Sequence, residues 1–316
     1  MSIRNRVATM VDSVVERVVE HGDALTKGRL RARNTADLTV NCVLGAENLS
    51  ELQFPQLYLR FMQEWVREVE VKVEIVKPMA SATDPTGVRF STLLAELVKR
   101  LPMAPMPLAR EAGIYADAVL ARTDAIEYST WAADVGLHFQ IGSSLGQKGR
   151  LLHALLRFTR PSSYLELGTA YGMSALIAAR TLQTLGAKWS VTTIEALPLQ
   201  YDIAAGMLRQ RFDATVDCRL GWSTQSLKEL SAERRSFDFL LHDAAHSYDD
   251  YVNDFALAEP MLRAGTVCLI DDIRWEDSRF SSKPARCYEG WRSIASHPRV
   301  RAAAELDGDM GILLLS

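Results

Sequence analysis

The second half of the chain is predicted to form an α/β fold, with helices on both faces of a mostly parallel sheet. After about residue 145, short β-branched and apolar runs alternate with stretches of helical periodicity, as in βαβ units. These runs are almost continuously apolar, as expected for strands that are buried on both faces. The first half is poor in glycine and mainly helical in pattern.

The alternation predicts five strands and four helices. The strands are expected at 163–167, 190–194, 214–220, 237–241 and 265–270, and the helices near 172–184, 198–210, 224–234 and 248–262. The chain ends differently, because two further runs, 300–305 and 311–315, are joined by Asp307-Gly-Asp309. A Gly/Asp turn between two such runs predicts an antiparallel hairpin that closes the sheet.

A mainly helical N-terminal domain is predicted over residues 1–140, followed by the α/β domain over 141–316. Apolar residues at helical spacing mark one face of 7–19, and the pattern recurs over 57–69. Strict alternation favours a strand over 69–76, and a further helix is expected over 91–101. The N-terminal domain is interpreted as a lid, a dimerisation surface or both, so a homo-oligomer is expected.

Composition excludes several classes of protein. Hydrophobic residues make up 48% and charged residues 24% of the 316 residues, which is typical of a globular protein. The net charge of −3 provides no basic surface, so we expect no nucleic-acid partner. No run of 18 apolar residues is present, so we expect no membrane partner. Four scattered cysteines and the lack of a signal-peptide pattern predict a soluble, cytoplasmic protein with reduced thiols.

The turn after the first predicted strand of the α/β domain is the most informative segment. Glu166 lies in this strand, Gly168 allows a tight turn, and Gly172 opens the next helix. In open α/β sheets, ligands bind at the carboxyl ends of the strands, which is where this turn lies. Ala170 and Met173 occupy the second and third glycine positions of the G-x-G-x-x-G dinucleotide fingerprint, which disfavours a nicotinamide dehydrogenase.

A carboxylate also ends the second strand of the α/β domain. Glu195 stands where an acidic side chain can accept hydrogen bonds from both hydroxyls of a ribose. Together with the turn from Gly168 to Gly172, this residue predicts a nucleoside cofactor that has no pyrophosphate.

Acidic residues follow the fourth and fifth strands as well. Asp243 and His246 come after the fourth strand, and Asp271 and Asp272 come after the fifth. Parallel strands end at one edge of a sheet, so the three carboxylates are expected to converge beside the cofactor. Three oxygen ligands with open positions suit Mg²⁺. The alternative is an acidic pocket without metal, in which the Asp271–Asp272 pair hydrogen-bonds the substrate.

Residues 145–316 resemble class I S-adenosylmethionine-dependent methyltransferases, and more narrowly the catechol and caffeoyl-CoA O-methyltransferase group. The motifs that carry the resemblance, in the family's order, are 165–175, 193–195, 220–223, 238–246 and 269–273. The pattern from Asp243 to Tyr248, with a downstream Asp-Asp pair, is also similar to bacterial natural-product sugar O-methyltransferases. The resemblance implies a Rossmann-like sheet, S-adenosylmethionine as cofactor, and methylation of a hydroxyl on a small-molecule acceptor such as a sugar or a catechol.

The resemblance also implies the cofactor contacts. Glu195 would hold the ribose, Trp222 and Ser223 would border the adenine, and Asp243 would contact both cofactor and metal. The residues implied at the methionine end are Glu166, Gly168, Thr169, Ala170, Gly172 and Ser174.

For the chemistry, the resemblance implies that Asp243, Asp271 and Asp272 bind Mg²⁺, with Asp272 in place of the family's asparagine. His246 stands where the catechol enzymes have a lysine and is predicted to be the general base, whereas His242 is predicted to be a packing residue. Arg274 and Trp275 are predicted to border the acceptor. Trp275 either stacks on the acceptor or anchors its loop.

Two other functions remain open on the sequence. One is methyl transfer to nitrogen or carbon without metal, with His246 as the base. The other is a catalytically silent, cofactor-binding scaffold subunit. The presence of Asp243, His246 and Asp271 argues against a silent subunit, which does not need them.

Overall fold

The computed structural model describes residues 71–78, 85–99, 147–275 and 284–316 of the chain. The strands are β1 (Val73–Lys77), β2 (Ser163–Leu167), β3 (Ser190–Glu195), β4 (Val216–Leu220), β5 (Phe237–His242), β6 (Leu262–Ile270), β7 (Val300–Leu306) and β8 (Met310–Leu315). The helices are α1 (Pro85–Lys99), α2 (Gln147–Thr159), α3 (Met173–Thr184), α4 (Pro198–Phe212), α5 (Ser223–Ala232), α6 (Tyr248–Ala258) and α7 (Cys287–Ala295). The helices predicted at 7–19 and 57–69 lie outside the described residues.

The described strands form one eight-stranded sheet in the order β1-β7-β8-β6-β5-β2-β3-β4. Strands β2 to β6 pair in parallel, and β6–β8, β7–β8 and β1–β7 pair antiparallel. The predicted Rossmann-like sheet with an antiparallel C-terminal hairpin is therefore confirmed. The hairpin does not end the sheet, however, because β8 lies between β6 and β7, and β1 covers the outer edge of β7.

Strand β1 corrects the predicted domain boundary. It comes from the segment assigned to a helical N-terminal domain, yet it pairs with β7 of the α/β sheet. Two reciprocal bonds of 2.7 Å extend this pairing: the Lys72 N–H donates to Asp307 Oδ1, and the Asp307 N–H donates to the Lys72 carbonyl. Glu68–Pro102 and Leu151–Ser316 form one compact unit. Glu68–Pro102 therefore belongs with the α/β sheet and not with the separate domain predicted over 1–140. The helix expected over 91–101 corresponds to α1.

The core lies on both faces of the sheet, as the apolar strands predict. All residues of β2 and β8 are buried. On one face, the fully buried Trp291 of α7 packs against Gly311, where an added Cβ would lie 2.5 Å from the indole. The described cysteines are free and buried, and Cys42 lies outside the described residues. Among the described helices, none has the length and apolar character needed to cross a membrane.

The order of the strands fixes where a ligand can bind. The parallel part of the sheet starts at β2, builds outwards through β3 and β4, and then returns to β5 on the other side of β2. Such a reversal leaves a crevice beyond the carboxyl ends of the two central strands. The segments that follow β2 and β5 begin with Gly168 and Asp243, which are predicted site residues.

Candidate active site

The turn between β2 and α3 has a left-handed backbone at three positions. The φ angles are +89° at Gly168, +46° at Ala170 and +93° at Gly172. An added Cβ at Gly168 would lie 1.8 Å from the Asp243 carbonyl oxygen. The predicted role of Gly168 was to allow a tight turn. The backbone after β5 also occupies the space where a Cβ would lie, so Gly168 allows the ends of β2 and β5 to approach each other.

Glu195 holds this turn against the end of β3. One carboxylate oxygen accepts the Ala170 N–H at 2.7 Å, and the other accepts the Leu197 N–H at 2.8 Å. Burial raises the pKa of Glu195, although both backbone bonds oppose the shift. Thr169 is tied to the same strand by a hydroxyl–hydroxyl hydrogen bond to Thr193. A carboxylate has about four lone-pair sites, so Glu195 keeps the capacity to accept ribose hydroxyls.

Glu166 lies fully buried beneath the turn. The Ser174 hydroxyl donates to its Oε1, and its Oε2 is buried without a partner in hydrogen-bond geometry among the described residues. Burial raises the pKa of Glu166 to about 8, since the hydrogen bond from Ser174 offsets only part of the desolvation and the nearby Asp243 carboxylate adds to it. Glu166 is therefore mostly protonated at neutral pH, and a cation placed beside it would favour the carboxylate.

The predicted adenine border lies beyond β4. Trp222 is 66% exposed, next to the half-exposed Leu220, and together they present apolar surface at this end of the sheet. The Ser223 hydroxyl donates to Asp254 Oδ1 at 2.8 Å. Asp254 is buried, and its other oxygen lies 3.5 Å from Nε2 of His242, which is fully buried as a packing residue would be.

The acid-rich strand ends bring Asp243, His246 and Asp272 together. The Nε2 atom of His246 lies 3.1 Å from Asp272 Oδ2 and 3.7 Å from Asp243 Oδ1. Burial lowers the pKa of His246, but the two carboxylates outweigh it and raise the pKa to about 10. In the chain alone His246 is thus an imidazolium at neutral pH. The ligand atoms of the three residues lie within 4.8 Å of one another, a spacing that fits one divalent ion.

Asp271 belongs to a second group and does not join the first. Its Oδ1 accepts the Asp272 N–H at 2.8 Å, and its carboxylate lies with those of Asp272 and Asp309 within 4.8 Å. Among the described residues, the three carboxylates predicted to share a metal are thus divided between two groups that have Asp272 in common. Asp309 was not predicted as a site residue; the hydrogen bond from the Ile273 N–H to the Asp309 carbonyl (2.8 Å) brings it to this edge.

Of the two residues predicted to border the acceptor, one is engaged within the protein. The Arg274 guanidinium donates to Glu305 Oε2 at 2.6 Å and lies over the Tyr288 ring, 4.1 Å from its centroid. Glu305 is 1% exposed and also accepts the indole N–H of Trp291. Arg274 therefore neutralises a buried carboxylate and anchors the segment that follows β6.

Trp275 borders the acid-rich edge directly. Its ring centroid lies 5.4 Å from that of His246, with the two planes tilted by 40°. The side chain is half-buried and packs against the main core as well. Both predicted roles, stacking on the acceptor and anchoring the loop, are compatible with this position.

Comparison with known proteins agrees with this fold. Residues 165–273 match the family described as a methyltransferase domain. The crystal structure of an O-methyltransferase from Bacillus cereus in complex with SAH is 24% identical, covering 64% of this chain and 90% of that chain, with a TM-score of 0.51. The O-methyltransferase TomG from Streptomyces achromogenes, involved in tomaymycin synthesis and solved with SAM, is 21% identical, covering 64% and 89%, with a TM-score of 0.48.

The family match begins in β2, where the Glu166–Gly172 turn starts, and ends at Ile273, just after the acid pair of β6. The match thus spans both the turn after β2 and the acidic residues that follow β5 and β6. The predicted resemblance is confirmed over residues 165–273, which match the methyltransferase-domain family.

Proposed function

We propose that the protein transfers a methyl group from S-adenosylmethionine to a hydroxyl of a small molecule and that a divalent cation such as Mg²⁺ assists the reaction. The observation that carries this proposal is the convergence of Asp243, His246 and Asp272 beside the turn after β2. A methyltransferase domain that binds only a cofactor has no need of such a group at this edge.

The turn supports the choice of cofactor. Glu195 lies beside it and Glu166 below it, so a pyrophosphate would meet the charge of Glu195 and would oppose the ionisation of Glu166. S-Adenosylmethionine carries an ammonium and a sulfonium, and both are compatible with an acidic site. Glu195 offers acceptors for the ribose hydroxyls, and the buried Glu166 offers one for the ammonium. The SAH in the similar Bacillus cereus crystal structure agrees with this choice.

Asp243 and Asp272 would hold the cation, with His246 or Asp271 beside them. A cation bound there would lower the pKa of an acceptor hydroxyl and orient it. The sequence predicted three carboxylates as the metal ligands. The position of His246 modifies this prediction, because its imidazolium competes with the cation for Asp243 and Asp272. Trp275 would cover one side of the acceptor.

His246 supports the metal-assisted version over the metal-independent alternative. With a pKa raised to about 10 by Asp243 and Asp272, the imidazole carries a proton and cannot accept another. His246 can act as a base only when another cation neutralises Asp243 and Asp272, because the pKa of His246 then falls. In methyl transfer to nitrogen or carbon without metal, His246 would have to lose this proton before it could act as the sole base.

The first experiment is calorimetric titration with S-adenosylhomocysteine, followed by Mg²⁺, with an EDTA-treated sample in parallel. We expect micromolar or tighter binding of S-adenosylhomocysteine and a separate Mg²⁺ heat. Asp243→Asn should abolish the Mg²⁺ heat, whereas Asp249→Asn, at an exposed position on α6, should retain it. Absence of S-adenosylhomocysteine binding would refute the proposed cofactor, and a Mg²⁺ heat that survives Asp243→Asn would refute the proposed metal site.

A further inference from the structure

Tyr251 contacts the backbone of the acid pair from below. It lies on α6, is fully buried, and its hydroxyl donates to the Asp271 carbonyl at 2.6 Å and to the Asp272 carbonyl at 3.2 Å. One hydroxyl hydrogen is thus shared between two consecutive carbonyls at the point where β6 ends. No role was predicted for this tyrosine from the sequence.

The surroundings fix the tyrosine ring in this position. Ser247 caps α6 by accepting the Asp250 N–H, which sets where the helix starts. On the neighbouring helix α7, Gly290 faces the ring, and an added Cβ there would lie 3.1 Å from Cδ2 of Tyr251. The imidazole of His242 packs edge-on against the ring, with 4.9 Å between the centroids. The hydroxyl therefore has little freedom to point elsewhere.

The backbone that receives this hydrogen bond is in a sparsely populated conformation. Asp272 has a φ of +52°, which a non-glycine residue adopts only when its surroundings hold it there. Its N–H donates to Asp271 Oδ1, and its carbonyl also accepts the Trp275 N–H at 2.9 Å. The directions of both carboxylates depend on this turn, and the Asp272 carboxylate in turn contacts His246.

We propose that Tyr251 is a positioning residue: its hydroxyl holds the turn at Asp271 and Asp272 so that the Asp272 carboxylate faces Asp243 and His246. This inference rests on the proposed function, because it assigns Tyr251 to the cation half of the site. Its hydroxyl hydrogen bonds go to the turn after β6, so we expect its effect to be confined to the acid-rich edge.

The test is Tyr251→Phe, which removes one oxygen and keeps the ring. We expect the Kd for Mg²⁺, titrated in the presence of S-adenosylhomocysteine, to weaken at least tenfold. The Kd for S-adenosylhomocysteine alone should stay within twofold of the original chain. Tyr201→Phe, the same change on α4, is the matched control and should alter neither constant.

Gly290→Ala is a second variant that retains the hydroxyl but displaces the ring, and it should weaken Mg²⁺ binding by a smaller factor. Equal Mg²⁺ affinity in Tyr251→Phe and the original chain would overturn the positioning role while leaving the proposed function intact. Equal losses of Mg²⁺ and S-adenosylhomocysteine affinity would overturn it too, because they would reveal general loosening. Failure of the original chain to bind S-adenosylhomocysteine would instead refute the proposed function.

Discussion

Replacing Glu166 by glutamine should stabilise the protein at neutral pH while weakening its binding of the cofactor. Burial raises the pKa of Glu166 from 4.5 to about 8. Between these values the folded chain binds a proton that the unfolded chain releases, so stability is complete below pH 4.5 and declines as pH rises towards 8. At 1.36 kcal/mol per pKa unit, the loss amounts to about 3 kcal/mol at pH 7 and about 5 kcal/mol above pH 9.

Glutamine removes this pH-dependent loss, because it does not ionise and its carbonyl can still accept the Ser174 hydroxyl. Thermal unfolding at each pH unit from 5 to 9 measures the effect. For each pH unit, the Tm of the original chain should fall by roughly 2–4 °C, and the Tm of the Glu166→Gln variant should not show this fall. Glu74→Gln, at an exposed position of β1, is the control. Parallel pH profiles for the original chain and Glu166→Gln would refute the buried-acid interpretation.

Cofactor binding should respond in the opposite direction. The ammonium of the cofactor favours the ionised form of Glu166, so the affinity for S-adenosylhomocysteine should rise with pH between 6 and 8, by up to tenfold per unit. In Glu166→Gln the affinity should be at least tenfold lower at pH 8 and nearly independent of pH. Calorimetric Kd values at three pH values check this, and an unchanged affinity would remove Glu166 from the methionine end.

Three further predictions concern single side chains. Glu195→Ala should weaken S-adenosylhomocysteine binding at least tenfold, about 1.4 kcal/mol by calorimetry, and unchanged affinity would remove it from the ribose site. His246→Ala should keep cofactor affinity within twofold yet lose turnover by roughly 10², so a near-normal rate would place the base elsewhere. Gly168→Ala should lower stability by more than about 3 kcal/mol in denaturant unfolding, because its Cβ would overlap the Asp243 carbonyl; near-normal stability would contradict this contact.

The parts of the fold that sequence predicts correctly depend on local patterns. The predicted helix over 198–210 corresponds to α4, Pro198–Phe212. It is predictable because its signals, a proline at the first position and the apolar pattern, are local features of the sequence. The hairpin of β7 and β8 follows from the Asp307-Gly-Asp309 turn in the same way. Neither pattern contains information about which other strands the hairpin will contact.

Long-range pairings account for what the sequence analysis missed. Strand β1 was expected as a strand but was placed in another domain, since nothing in its alternation names β7 as its partner. Asp309 reaches the acid-rich edge only because β8 inserts between β6 and β7. Arg274 looked available for an acceptor because its buried partner, Glu305, lies far away in the chain.

The two halves of the proposed site therefore depend on different parts of the sheet. The cofactor half needs β2, β3 and the end of β5, which hold the turn through Glu195 and the close approach at Gly168. The acid half needs the ends of β5 and β6, and its Asp309 side also needs the hairpin of β7 and β8. Damage to the C-terminal hairpin can thus disturb the Asp272 and Asp309 side of the acid half while the cofactor half still binds. For this reason cofactor affinity alone does not establish a competent site, and each variant requires both the S-adenosylhomocysteine and the Mg²⁺ titration.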